Sequence, residues 1–587
     1  MTNEFINYLN TMNNANSGNN NALAESQILN DYYEKIRVNR KIGDEIYKYL
    51  FNDVPRSLIL TGHAGDGKTS LLIQILNEIG FSREGKRGLK EFEVYNGDKS
   101  LFYVKDMSEL NKEQQEKNLK EFLNAPNKNL PSILISNTGP LINTFKRIIN
   151  PENNKEDTNI EEFEGEFLEC IQKDLVVDKE FNIANEKFYL TIFNIAQIDN
   201  IYFVKEIIDK ILNEELWNPC NNCNQEQRER CPIYFNKQCL KTQKDRVVDI
   251  IQKMYFWLKE SETRLTIRQI ISHLSYAITG NLTCEYIENS TKNKNNILFD
   301  YHFGNLFFGQ KGTKQLDESF NIKAIRELER LNLDQKAFVK QDNVMFVKED
   351  FSDFSSSIKE MLENKLNENL YSLDLNNKES QEMRRAFRRF YILFGNNEDD
   401  YENLLKEIFS EVYPLYYKLI NGKIGRSEER YIKNIVFLGL YKLFTGVSCN
   451  NEDNIINLTL KKNFDDTQNV QMVIGSFKKD EIELKQNKNK TIEKEIKEYI
   501  PMINIGNVKY ELTHESLNYL YKLKEGVVFT SYNPNFTFGI SRLKSELIRE
   551  FRDSKRGVKL LVIKRNKIEK IKFDFDDDEI YVEKGGW

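Results

Sequence analysis

Apolar residues in this chain come in short dense runs separated by charged, helix-spaced stretches. The run SLILTG (57–62) follows Pro55 and is uniformly apolar over too few residues for a helix, so it predicts a buried strand ending in a glycine loop. TSLLIQILNEIG then spaces its apolar positions at helical intervals and stops at Gly80. LFYVKD ending at Asp106, SILISN ending at Asn137 and FYLTIFN ending at Asn194 repeat the theme, each followed by a helical pattern. Strands alternating with helices at this interval predict an α/β core, a parallel sheet covered on both faces with ligands at the carboxyl ends of its strands.

The rest of the chain changes character in steps. Residues 1–52 read as a helical segment, with apolar periodicity in ILNDYYEKIRVNRKIGDEIYKYLF behind a polar stretch near Asn13 to Asn21 that reads as disordered. The core is expected over 53–216. A cysteine-rich insert and a helical lid follow over 217–300, with RLTIRQIISHLSYAITG the most regular part, and a helical middle region runs over 301–467, broken at LNNKES and FGNNEDD. From 468 to 587 the pattern turns to strands, VQMVIGSF, GVVFTSY, VKLLVIKR and EKIKFDF, around a helix at SRLKSELIREF, which predicts a C-terminal α+β module. No period of about 20 to 50 residues repeats, which excludes a solenoid.

Composition bounds this picture. The 587 residues are 40% hydrophobic and 30% charged, enough for several cores under charged surfaces. A net charge of -6 provides no global attraction to nucleic acid, so any DNA contact must be local. No apolar run reaches about eighteen residues, and the N-terminal stretch lacks the basic-then-apolar order of a secretory signal, so a cytoplasmic protein without membrane partners is expected. Four of the seven cysteines fall between Cys220 and Cys239, which suits a reducing compartment and a metal site; Cys170, Cys284 and Cys449 read as small buried hydrophobes.

The loop after the first strand, GHAGDGKTS, carries the pattern G-x-x-x-x-G-K-[ST] in Gly62, Gly67, Lys68 and Thr69. Its glycines let the backbone curl with N–H groups pointing inward at the positive end of the next helix, which is how phosphates are held. ATP, or a closely related nucleoside triphosphate, is the expected ligand, cradled by Gly62, His63, Ala64, Gly65, Asp66, Gly67, Lys68, Thr69 and Ser70. Lys68 would neutralise the β and γ phosphates and the Thr69 hydroxyl would complete a Mg²⁺ shell; the His63 side chain is assigned no chemistry. Asp106 is the candidate acid for the metal. The next residue is Met107 rather than glutamate, so Glu109 is the candidate for orienting the attacking water. Asn137 either senses the γ-phosphate or simply begins a turn. Arg264 and Arg268 open the helix of RLTIRQII; either one reaches the γ-phosphate, Arg268 being preferred, or both are exposed helix charge.

Cys220, Cys223, Cys231 and Cys239 form C-x₂-C-x₇-C-x₇-C, a knuckle and a closing pair suited to a tetrahedral Zn²⁺ that staples a polar insert; four thiolates could also hold an iron–sulfur cluster. QEMRRAFRRFYILF places Arg384, Arg385, Arg388 and Arg389 at i, i+4 spacing among aromatic residues. That face could grip DNA phosphates, form ordinary salt bridges, or supply an arginine to a neighbouring copy in a homo-oligomer.

Taken together, GHAGDGKTSLL, the strand endings KDMSE and ISNTGP, the cysteine insert with CPIYFN and RLTIRQIISHLSYAITG resemble the ATPases of bacterial DNA-modification and phage-defence islands. The particular likeness is to the F component (DptF-like) of phosphorothioation-dependent restriction, and it covers about the first half of the chain. The resemblance implies an AAA-like P-loop NTPase core of the additional-strand class, working beside G and helicase-like H components on DNA that lacks the sulfur mark. Lys68 and Thr69 would then be the nucleotide-binding pair and Asp106 the metal-associated acid. The expected function is an ATPase that drives or gates a DNA-directed defence complex. The alternatives are a nucleotide-dependent assembly switch with slow turnover and an adaptor that keeps the pocket for stability. No nuclease signature is present.

Overall fold

The computed structural model describes residues 2–13, 30–52, 54–81, 88–150, 158–173, 175–333, 336, 338–368, 377–449, 453–460, 468–488, 499–529, 533–552, 557–564, 567–576 and 579–585. The chain forms two compact units, Met1–Asn397 and Glu398–Trp587. The polar stretch expected to be disordered lies, apart from Asn13, outside the described residues; Asn13 itself is buried.

The first unit is a mixed α/β structure around a six-stranded sheet. Its strands are β1 (Ser57–Thr61), β2 (Phe92–Asn96), β3 (Ser100–Val104), β4 (Ser132–Ser136), β5 (Val176–Ile183) and β6 (Glu186–Asn194), in the order β2-β3-β4-β1-β6-β5. The four inner strands are parallel, and β2 and β5 pair antiparallel at the two edges. Every residue of β1 is buried, as befits a strand roofed on both sides, which is why it reads as an unbroken apolar run. The edge strands FEVYN and VVDKEFNI alternate buried with exposed positions and carry charge, so no such run announces them.

Strand alternation divides the packing between the two faces. Ile59, Phe102, Val104, Leu134 and Ile192 join one core with residues of the helices Lys112–Asn124, Thr138–Ile149 and Thr158–Lys173. There Phe145, Phe163 and Phe167 meet with ring centroids 5.0 to 5.6 Å apart; truncating Phe145 to alanine would cost about 3–5 kcal/mol. On the other face Tyr49, from the helix Lys41–Leu50, sits edge-on to Phe193 at 5.4 Å.

Downstream of the sheet the first unit is helical, including Pro232–Thr242, Lys244–Glu260, Ile267–Thr279 and Lys378–Phe394, with one short hairpin of β7 (Gln310–Lys311) and β8 (Lys314–Gln315). Two histidines are core residues here. His273 lies between the Tyr255 hydroxyl at 2.7 Å and the Phe307 carbonyl at 2.8 Å. The carbonyl can only accept, so Nε2 carries the proton and Nδ1 accepts from the tyrosine. His302 Nδ1 accepts from the Gly304 amide at 2.9 Å. Burial lowers the pKa of His273 to about 4 and that of His302 to about 3.

The second unit combines the helices Tyr401–Ile408, Tyr413–Ile420, Arg426–Thr445, His514–Lys524 and Pro534–Glu550 with two antiparallel sheets. β9 (Ile455–Thr459), β10 (Val470–Lys478), β14 (Val558–Lys564), β15 (Lys567–Asp576) and β16 (Glu579–Lys584) pair in the order β16-β15-β14-β10-β9, and β11 (Ile482–Lys488), β12 (Tyr499–Ile505) and β13 (Val508–Glu511) form the other sheet. The strand expected at GVVFTSY is not one over 526–529, and residues 530–532 lie outside the described residues. Gly526, at φ +89°, stops the preceding helix, its N–H bonding Leu523 O and that of Val527 bonding Lys522 O. That is a Schellman cap, which leaves the apolar Val528 exposed. Among the described residues, no helix is long and apolar enough to cross a membrane.

Candidate functional site

Strand register gathers four chain segments at one edge of the sheet. Thr61 stands level with Ser136 of β4 and Asn194 of β6, and Val104 of β3 stands level with Leu134. The segments leaving these strands therefore emerge side by side: the loop 62–67, Asp106, Asn137 and Ile195. This is the carboxyl edge of the parallel strands, where α/β sheets hold ligands.

The loop conformation depends on glycine at two positions. Gly65 and Gly67 both adopt φ +87°, in the left-handed region. A Cβ on Gly65 would also lie 2.9 Å from Thr266 Oγ1. Thr266 caps the helix Ile267–Thr279: its hydroxyl accepts from the Gln269 amide at 3.3 Å and its own amide donates to Gln269 Oε1 at 3.0 Å. The RLTIRQII segment is thereby laid against the loop, with the Arg268 amide 3.5 Å from Gly65 O.

Asp66, fully buried, organises the loop from inside. Its Oδ2 accepts the His63 amide at 2.9 Å; its Oδ1 accepts Arg264 Nη1 at 2.7 Å and Asn200 Nδ2 at 3.5 Å. Arg264 also donates to the carbonyls of Ile198 (2.6 and 3.2 Å) and Ile195 (3.3 Å). Buried Arg40 donates to Asp66 O at 2.8 Å. Arg264 thus acts as a strap between the loop, the end of β6 and the segment that opens the helix Ile267–Thr279. Arg40 and Asn200 carry no sequence pattern that marks them, and no local signal tells which distant cation answers Asp66.

Lys68 opens the helix Lys68–Glu78 with its side chain folded over the loop. Its Nζ donates to Gly62 O, His63 O and Asn137 Oδ1, each at 2.9 Å. Burial lowers its pKa, the Asp106 and Asp66 carboxylates pull it back up, and Arg268 pushes it down again. The fold thus brings Lys68 and Asn137 into contact, with Asp106 and Arg268 close enough to be felt. Half-exposed Thr69 and Ser70 sit in the first helical turn, and Ser70 Oγ accepts from Tyr33 Oη at 3.1 Å; His63 and Ala64 are exposed.

Asp106 caps a short turn, its Oδ1 accepting the amide and hydroxyl of Ser108 at 2.9 and 2.6 Å. Met107 is completely buried in the core. Glu109 is engaged at the surface by Lys105 at 3.2 Å. A glycine loop, a helix N-terminus and a buried ammonium thus meet at this edge of the sheet.

The cysteines divide differently from their spacing. Cys220, Cys223 and Cys231 line one cavity, and the fourth thiol there belongs to Cys284, not Cys239. Cys239 is 2% exposed and hydrogen-bonded with Ser357. Burial pushes the thiols of both Cys231 and Cys239 up to about 12. Among the described residues no group of three or more His, Cys, Asp or Glu side chains has closed to metal-ligating geometry.

The arginine helix also distributes its charges inward. Arg389 is 3% exposed and donates to Asn305 Oδ1 at 3.0 and 3.1 Å and to Gly312 O at 2.8 Å. Arg388 pairs with Asp342, its Nε 2.9 Å from Oδ1. Arg384 stacks over Phe346 with its guanidinium carbon 5.0 Å from the ring centroid, and Arg385 is half-exposed.

No family model, no curated protein and no solved structure matches this chain.

Proposed function

We propose that this protein is a P-loop ATPase of the additional-strand class, binding ATP with Mg²⁺ on the loop 62–69 and hydrolysing it. The observation that carries the reading is the Lys68 ammonium, buried at a glycine loop and helix N-terminus and bonded to Asn137 from the neighbouring strand. Its three acceptors are neutral oxygens, which phosphate oxygens can replace with stronger charge-assisted bonds. The position of β4 between the loop strand and the strand that precedes Asp106 supports the additional-strand arrangement. Thr69 and Asp106 are the residues that would hold Mg²⁺, which when bound offsets phosphate charge. The DNA-directed part of the reading, a cytoplasmic ATPase beside partner subunits of a defence complex, is supported by the likeness of GHAGDGKTSLL, KDMSE and ISNTGP to defence-island ATPases.

A second reading has its own support: turnover slow enough for ATP occupancy to act as an assembly switch. Met107 is buried where a glutamate would follow the acid, and Glu109 is held by Lys105. The test is calorimetry with Mg–ATP, followed by phosphate release with and without duplex DNA, on the intact chain and on Lys68→Ala. DNA-stimulated release lost in the variant supports the motor or gate; nucleotide-dependent assembly without DNA stimulation supports the switch. Absence of any binding heat from the intact chain refutes both.

A further inference from the structure

Four cysteines from three separate stretches of chain converge on one cavity of ≈ 40 Å³ in the first unit. We propose that Cys220, Cys223, Cys231 and Cys284 are the ligands of a structural Zn²⁺ site, with Cys239 excluded from it.

Helix geometry separates Cys231 from Cys239. Cys231 is the N-cap of the helix Pro232–Thr242 and Cys239 lies within that helix. Eight residues at about 1.5 Å rise put them about 12 Å apart along the axis. Sulfurs sharing one tetrahedral zinc, each about 2.3 Å from the metal, lie within about 4 Å of one another. One helix cannot offer both residues to one ion. Cys284, first residue of the helix Cys284–Asn289, comes from beyond the capped helix Ile267–Thr279 and lines the cavity directly.

Two of the four sulfurs receive hydrogen bonds, while the Cys223 thiol donates to Gln227 Oε1 at 3.6 Å. Asn3 is 2% exposed and its Nδ2 donates to Cys220 Sγ at 3.2 Å and to Leu216 O at 3.2 Å. The Tyr234 amide, in the first turn of its helix, donates to Cys231 Sγ at 3.4 Å. Such donors and a helix N-terminus favour thiolate, and a bound divalent cation deprotonates its thiols outright despite their burial. The Cys220–Cys223 segment is built as a turn, the Cys223 amide donating to Cys220 O at 3.3 Å, so two sulfurs are presented from one short knuckle. The site would tie the N-terminal helix Glu4–Met12, the cysteine insert and the Cys284–Asn289 helix together.

Zinc measured by mass spectrometry on the full chain, purified under reducing conditions and refilled with Zn²⁺, tests this. About one zinc per chain is expected in the unsubstituted protein, in Cys239→Ser and in Lys68→Ala. Cys284→Ser should lose more than the about 10-fold in affinity that removal of an outer partner produces. Because that variant could also fold poorly, Cys284→His provides the second arm: it should keep the metal, and Co²⁺ in place of zinc should show a three-thiolate rather than a four-thiolate spectrum. Zinc lost in Cys239→Ser but kept in Cys284→Ser, iron with sulfide in place of zinc, a Co²⁺ spectrum unchanged by Cys284→His, or no metal after refilling would each overturn the assignment.

Discussion

Replacing Arg264 by alanine should unfasten the glycine loop 62–67 without touching the glycine–lysine pattern. The substitution removes the 2.7 Å ion pair to Asp66 and the donors to Ile195 O and Ile198 O, at a guanidinium only 22% exposed facing a carboxylate 0% exposed. Removing one partner of a buried pair strands the other charge, a loss of about 3–5 kcal/mol, far above the about 0–1 kcal/mol of a surface pair. Arg264→Lys should fall between the two, since an ammonium keeps the charge but cannot span both carbonyls and the carboxylate. The assay is urea unfolding followed by a probe in the first unit, on Arg264→Ala, Asp66→Asn and the double variant. Asn can still accept the His63 amide but carries no stranded charge, so the double variant should be less destabilised than the sum of the singles by about 1–3 kcal/mol. Mg–ATP affinity should fall in Arg264→Ala together with stability. A loss under about 1 kcal/mol, or strict additivity, would refute the strap.

Gly65→Ala should destabilise the loop by about 1–3 kcal/mol, because it combines a positive φ with a methyl 2.9 Å from Thr266 Oγ1; thermal unfolding and Mg–ATP calorimetry check it. Arg388→Ala should cost about 3 kcal/mol through stranded Asp342, with both side chains nearly buried, so weakened DNA binding in that variant must be judged against urea stability. His273 and, in the second unit, His514 have folded pKa values of about 4, below the ordinary value of 6.5. The unfolded chain therefore takes up their protons first as pH falls, and each histidine lowers stability with acidification at about 1.4 kcal/mol per pH unit between those values. The urea midpoint should be lower at pH 5 than at pH 7, and His273→Gln should lessen the dependence in the first unit, where buried His302 supplies the remainder.

The parts of the site legible in the sequence are those whose cause is local. A parallel strand buried on both faces is predominantly apolar, so SLILTG and SILISN declare themselves, as does the buried stretch Leu190–Asn194 of FYLTIFN. The loop after β1 needs glycine for its dihedral angles at Gly65 and Gly67, and Lys68 follows directly, so one short pattern marks it. Edge strands β2 and β5 obey a weaker constraint, one buried face, and their mixed sequences leave no comparable trace.

Everything decided by distance in space rather than along the chain came from the tertiary structure. Lys68 reaches Asn137 because β4 lies beside β1, and Arg264 reaches Asp66 across 198 positions because the helix Ile267–Thr279 starts against the loop. Helical rise between Cys231 and Cys239 overrides an attractive spacing and hands the place by the knuckle to Cys284. Arg388 and Arg389, alike in sequence, meet an aspartate and a buried asparagine. Local pattern records what each segment needs of its own backbone and burial; which charges and sulfurs meet depends on strand order and helix packing, which no single segment encodes.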